Sequence, residues 1–188
     1  DAASRLDVEV LVGIDKEPAL SSSESSMVTL DFDDPDRAAE VIRDFSTDTE
    51  LSAVIAVDDV GTLVAAKASR LLEIPHNSVQ SVEFTRDKYA LRNMLATTDL
   101  PTPTYSLISV GLDENDLALY IENIVFPVVL KPRNLSASQG VIRADDPTDF
   151  VAAYDEISTI LSSDPSMINC SQEFRETILI EEYIPGEE

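Results

Sequence analysis

Apolar positions along the chain follow two alternating rhythms. Residues 8–12 (VEVLV) and 27–30 (MVTL) are short apolar runs of strand type. The Asp34-Pro35-Asp36 triplet is a helix start: Asp34 caps, Pro35 occupies the first turn, where its missing N–H costs nothing, and Asp36 faces the positive end of the helix dipole. The stripe Ala38, Val41, Ile42 and Phe45 carries that helix to about residue 45. Residues 53–57 (AVIAV) predict a buried strand, and Val60, Leu63, Val64, Leu71 and Leu72 the stripe of a helix running to about residue 73.

Strands alternating with helices in this way imply a parallel sheet with helices on its faces, a Rossmann-like arrangement. A second series starts near Thr85, which is the expected cap of a helix over 86–96. Residues 104–108 are extended, 112–123 helical and 126–131 extended. Residues 141–144 form a short strand, and Asp146-Pro147-Thr148-Asp149 repeats the capped start of a helix reaching about residue 161. Residues 162–176 are polar and irregular, a predicted surface loop, and 177–183 the last strand. The serine-rich tract at 21–26 is a further loop. The opening DAASRL resembles a helix tail running straight into a strand, and GEE closes the chain just after a Pro185-Gly186 turn. The expectation is a piece of a longer protein, lacking the first strand of its nucleotide-type sheet.

Composition narrows the function. Of 188 residues, 44% are hydrophobic and 26% charged, as in an ordinary packed domain. No apolar run reaches the roughly 20 residues of a membrane span, and no signal-peptide layout is present, so the default location is cytoplasmic. The net charge of −23 repels nucleic acid and anionic membranes, which select for Lys and Arg. Cys170 and His76 are single, which excludes an intrachain disulfide and His-cluster or Cys-cluster metal sites. If so acidic a chain binds a polyphosphate, its few cations must be placed locally.

Three segments carry candidate chemistry. Lys88, in TRDKYALRNML, falls in a first helical turn, where the dipole disfavours a cation by a few tenths to about 1 kcal/mol and an anion would reverse the penalty. Pairing with Asp87 is the plainer alternative. Lys131 ends the run FPVVLKP, in which Phe126, Val128 and Leu130 face one way and Val129 and Lys131 the other. A Lys leaving such a strand must reach water or meet an anion. The following RNLSASQG is small and hydroxyl-rich: its backbone N–H groups, with Ser136 and Ser138, suit phosphate oxygens, and an ordinary hairpin turn is the alternative. In ILIEEYIPGEE, an apolar strand ends on two acids and a turn, an edge able to offer a planar base one acceptor and one donor side by side. A solvent-facing acidic strand end is the alternative there.

Taken in order, a Rossmann-like domain, a helix opened by Asp87-Lys88, FPVVLKP with a loop ending in Gly140-Val141, and LIEEYIPGEE resemble the ATP-grasp superfamily. The resemblance covers essentially the whole chain. It implies an α/β fold: a truncated Rossmann-like parallel-sheet domain over 1–84, then the first α+β lobe of an ATP-grasp domain over 85–188, with the C-terminal lobe missing. It gives Lys88 and Lys131 the nucleotide phosphates, and Ser136, Ser138 and Gly140 the mobile loop over the β and γ phosphates. Glu181 and Glu182 take the adenine amino group, the latter through its carbonyl, Ile184 offers its N–H to the ring, and Glu188 grips the ribose. The loop has one glycine where many relatives have more. The family's magnesium-binding acids and catalytic arginine fall beyond residue 188, so ATP is a cofactor bound here, Mg2+ one whose ligands lie elsewhere, and the 188 residues alone are expected to be inactive.

The activity implied is ATP-dependent ligation, in which a carboxylate is phosphorylated and an amine or thiol attacks the acyl phosphate. Such chemistry needs positioned phosphate charge more than an activated side-chain nucleophile, in keeping with the lack of a Ser-His or Cys-His arrangement. The expected partners are ATP and a small carboxylate and amine pair, and a homodimer is compatible with the family. Biotin carboxylase-like or carbamoyl-phosphate-type enzymes share these motifs, and a regulatory ATP-binding module would keep the fold without turnover. A P-loop or dinucleotide enzyme is the competing class, but neither G-x-x-x-x-G-K-[ST] nor G-x-G-x-x-G occurs. Asp58, Asp59, Gly61 and Thr62 follow the predicted 53–57 strand, where open sheets collect ligands. A helix cap at Asp59 or Thr62 is the favoured reading there.

Overall fold

The computed structural model describes residues 2–15 and 27–186. The serine tract at 21–26 and Glu188 therefore lie outside the described residues. The chain divides into two compact units, Asp1–Val82 and Glu83–Glu188.

In the first unit a single turn, α1 (Ala2–Arg5), precedes two short strands, β1 (Val12–Ile14) and β2 (Met27–Thr29). They pair in parallel, with Val12 opposite Met27 and Ile14 opposite Thr29. Helices α2 (Pro35–Phe45) and α3 (Thr62–Leu71) follow. The Asp34 carboxylate accepts from the Arg37 N–H at 3.0 Å, the predicted cap. The small residues Ala38, Ala39 and Ala68 are buried with Leu30, Ile42 and Val64, which lets the two helices pack closely over the strands. Lys67 of α3 joins Asp36 of α2 at 2.7 Å.

Three expectations for this unit are corrected. Residues 8–11 form no strand, β1 beginning only at Val12, and 53–57 form none either. Ile55 and Val57 are 80% and 97% exposed. A parallel strand is stable only when flanked and covered, and no described segment pairs with 53–57. Ahead of α3, the Asp58 carboxylate accepts from the Gly61 N–H at 2.9 Å while Gly61 itself caps the helix, so neither Asp59 nor Thr62 supplies a side-chain cap.

Helix α4 (Val79–Arg86) was not foreseen, and it moves the next helix start. Asp87, not Thr85, caps α5 (Lys88–Leu95), its carboxylate accepting from the Tyr89 N–H at 3.0 Å. Thr85 sits inside α4. The second unit continues with β3 (Tyr105–Ser109), α6 (Glu114–Ile121), β4 (Val128–Pro132) and β5 (Ile142–Ala144). Then come α7 (Pro147–Ser163), a 3-10 turn at Pro165–Met167, α8 (Gln172–Glu176) and β6 (Thr177–Glu182). The predicted loop at 162–176 thus holds ordered structure, because Met167 is buried in the core and Phe174 packs beside it.

The four strands form an antiparallel sheet in the order β3-β6-β4-β5. One face carries Ile108, Val128, Leu130, Ala144, Ile178 and Ile180 against Phe150, Ala153, Ile157 and Leu161 of α7. Alternation along β4 and β6 sends Val129, Lys131, Leu179 and Glu181 to the opposite face. There α5 approaches: the Tyr89 ring meets Tyr105 edge-on at 5.9 Å, and the Tyr105 hydroxyl donates to Asn93 at 3.0 Å.

Candidate functional site

The site is built on this second face of the sheet. Val129 stands opposite Glu181 across β4 and β6, and Lys131 opposite Leu179, so Lys131 and Glu181 are diagonal neighbours on one face. Lys131 Nζ reaches Glu181 Oε2 at 2.6 Å. From α5, Arg92 Nε and Nη2 close on Oε1 and Oε2 of the same carboxylate at 2.7 and 3.1 Å. The Glu181 side chain is only 6% exposed. Burial alone would raise its carboxyl, but hydrogen bonds from Arg92 and Lys131, with their charges, outweigh that and hold it below the usual carboxylate range.

Lys88 occupies the first position of α5, against the direction the helix dipole favours. Its N–H donates to the Arg133 carbonyl at 3.0 Å. Its ammonium donates to the Leu135 carbonyl at 2.5 Å and to the Arg133 carbonyl at 3.4 Å. The segment leaving β4 therefore supplies the negative dipole ends that this cation meets, and Asp87 is engaged elsewhere, with Arg133 at 2.6 Å.

The loop that follows carries Ser136 and Ser138 in exposed positions. Ala137 and Ser138 both have left-handed backbone, φ 52° and 58°, and Gly140 has φ 67°. A side chain at Gly140 would meet Pro132 Cδ and Cγ at 3.0 Å, so the close approach of loop and strand requires glycine there. Ala137 and Ser138 thus take a backbone conformation that favours glycine. The Gln139 amide donates to the Asp164 carboxylate and fastens the loop to the end of α7.

Where β6 leaves the sheet, a cavity of about 210 Å³ is lined by Thr104, Asn123, Val125, Glu181 and Glu182. The Glu182 carboxylate accepts from the Thr104 N–H at 2.8 Å and from its hydroxyl at 2.7 Å, which lowers the carboxyl from its ordinary value. Beyond it, Ile184 is 59% exposed. The Tyr183 N–H donates to the Pro127 carbonyl at 3.2 Å, and Arg143 lies 4.1 Å above the Tyr183 ring.

Lys131 and Glu181 are thus brought together, and Lys88 is fastened to the loop of Ser136, Ser138 and Gly140. The Glu182 carboxylate points to Thr104 rather than to either lysine. Sequence reasoning missed Arg92, Arg133, Asp87 as a cap, and Glu173. Arg92 carried a usable signal: it is four residues after Lys88 and so on the same helix face. Arg133 and Glu173 are 40 positions apart, and only the fold joins them. Among the described residues no cluster of three or more His, Cys, Asp or Glu could hold a metal ion, and none of the helices is long and apolar enough to cross a membrane.

Comparisons with known proteins fall on both units. The family model of the ATP-grasp N-terminal domain matches residues 1–76, and that of the ATP-grasp domain matches 124–188. Among curated proteins, a D-alanine–D-alanine ligase of Streptococcus agalactiae is 30% identical over 88 residues, which is 45% of this chain and 25% of that protein. The chain spans about a quarter of the length of the curated relatives it matches. Among solved structures, an L-amino acid ligase from Bacillus licheniformis has a TM-score of 0.66 at 21% identity, over 98% of this chain and 40% of that one. The biotin carboxylase domain of Hydrogenobacter thermophilus 2-oxoglutarate carboxylase, solved with MgADP, ADP and bicarbonate, has a TM-score of 0.62 at 16% identity, over 97% and 40%. These two likenesses show the fold.

Proposed function

Because this chain belongs to the ATP-grasp superfamily, we propose that it supplies the ATP-binding wall of an ATP-dependent carboxylate-amine ligase. Residues 1–84 are assigned to the domain that precedes the nucleotide lobe, and 85–188 to that lobe's first part. The observation that carries the reading is the charge arrangement on the second sheet face. Lys131, 15% exposed, shares Glu181 with Arg92. When Lys131 turns to a phosphate, Glu181 keeps a two-point partner and is not left as an unpaired buried anion.

Lys131 is assigned to hold nucleotide phosphate oxygens, with Lys88 and the loop of Ser136, Ser138 and Gly140 beside it. The β6 end, with the Glu182 carbonyl and the Ile184 N–H, is assigned to the purine edge, and Glu188 to the ribose. Glu181 is assigned a different role from the one first expected: its oxygens already accept from Arg92 and Lys131, so it sets the position of Lys131. The bound nucleotide supplies an activated phosphoryl group for a carboxylate acceptor. What these side chains do is neutralise and orient it. Magnesium finds no fitting group of ligands among the described residues.

A carboxylate-plus-amine screen of the full-length protein, following phosphate release, tests the reading. Release that depends on both a carboxylate and an amine is expected. ATP binding with no acceptor-dependent release across amino acids and related acids would count against ligation.

A further inference from the structure

We propose that Arg133 is a positioning residue for phosphate binding, holding the Lys88 end of α5 against the loop that follows β4. The inference rests on the nucleotide reading above and deepens it. Arg133 is 4% exposed at its side chain, and a buried guanidinium persists only if its donors are matched. They are matched by groups that flank the loop. Nε and Nη2 fork onto the Asp87 carboxylate at 3.1 and 2.6 Å, and Nη1 reaches Glu173 of α8 at 2.6 Å. The guanidinium carbon lies 5.2 Å from the Tyr89 ring centre and 5.0 Å from that of Phe174, so aromatic rings of α5 and α8 also contact it.

Asp87 has a second task beside the phosphate region. Asp87 caps α5 through the Tyr89 N–H. Lys88, the next residue, is bound through its N–H and its ammonium to carbonyls of the segment that Arg133 begins. A single residue thus sets the distance between Lys88 and the loop: its side chain pairs with Asp87 while its backbone carbonyl receives the Lys88 N–H. Lysine would keep the charge at this position but not the fork that fixes orientation. Phe174 also packs against the core built on α7, so the Arg133 cluster borders that core as well as the loop.

The test is calorimetric titration of the full-length protein and its Arg133→Lys and Asp87→Asn variants with ATP and, separately, with adenosine. Asp87→Asn keeps a helix-capping oxygen and removes the charge. Both variants should bind ATP about tenfold or more weakly, the size of losing well-placed contacts to a charged ligand, with adenosine affinity within about twofold of the unsubstituted protein. Equal losses for ATP and adenosine would assign Arg133 a purely structural role and overturn the proposal, as would unchanged ATP affinity in both variants. Absence of ATP binding by the unsubstituted protein would overturn the nucleotide reading itself, and this proposal with it.

Discussion

Arg92 forks onto Glu181 at 2.7 and 3.1 Å, tying a helix residue one turn past Lys88 to the end of β6, one of the two inner strands of the second sheet. Glu181 is thereby held from two sides, by Arg92 across the face and by Lys131 along it. Replacing Arg92 with Met leaves the buried carboxylate with Lys131 alone. The expected cost is about 1.5–3 kcal/mol, the range for a lost hydrogen bond to a charged group, read from urea unfolding. A loss below about 0.5 kcal/mol, typical of a surface pair, would show that the fork does not hold in solution.

Acid sensitivity follows from the same carboxylate. Its folded-state pKa is depressed, so its contribution to stability is fully present above the ordinary Glu value of about 4.3 and is lost as pH falls through the lower folded value. The stability difference between the parent protein and Glu181→Gln should therefore be flat from about pH 6 to 8 and shrink below about pH 4. A difference that grows in acid would contradict the assignment of the shift to Arg92 and Lys131.

Gly140 offers a local test of the loop. With φ 67° and Pro132 atoms 3.0 Å from any added side chain, Gly140→Ala combines left-handed strain with a contact that must give. A destabilisation of about 1–2 kcal/mol is expected from the backbone term alone, measured by thermal melting, together with weaker ATP binding. Ala137, also left-handed, offers the opposite change: Ala137→Gly should be neutral or stabilising, because glycine adopts that conformation without strain.

What could be seen in the sequence divides along a physical line. Features set by local chemistry were legible: Asp34 and Asp146 as caps, and the two-residue alternation that puts Lys131 on the face opposite Val128 and Leu130. Features that depend on neighbours were not. AVIAV at 53–57 has the composition of a buried strand, yet with nothing described beside it to pair with, it forms no ladder. Asp87 displaced Thr85 as the helix cap because α4 takes up the residues before it. The polar stretch at 162–176 hid α8, whose Glu173 acquires meaning only beside Arg133, 40 positions earlier in the chain. The pairing of Glu181 with Arg92 and Lys131 was likewise hidden, because it joins residues 89 and 50 positions apart.

The most direct measurement is the calorimetric affinity of the full-length protein for ATP, before and after Lys131→Ala. A loss of about tenfold to a hundredfold is expected, the equivalent of about 1.5–3 kcal/mol for a charge-assisted contact. The protein should stay folded, with a loss of stability no larger than that of Arg92→Met, since Glu181 keeps the two-point Arg92 partner. An unchanged ATP affinity would contradict the assignment of this sheet face as the nucleotide site.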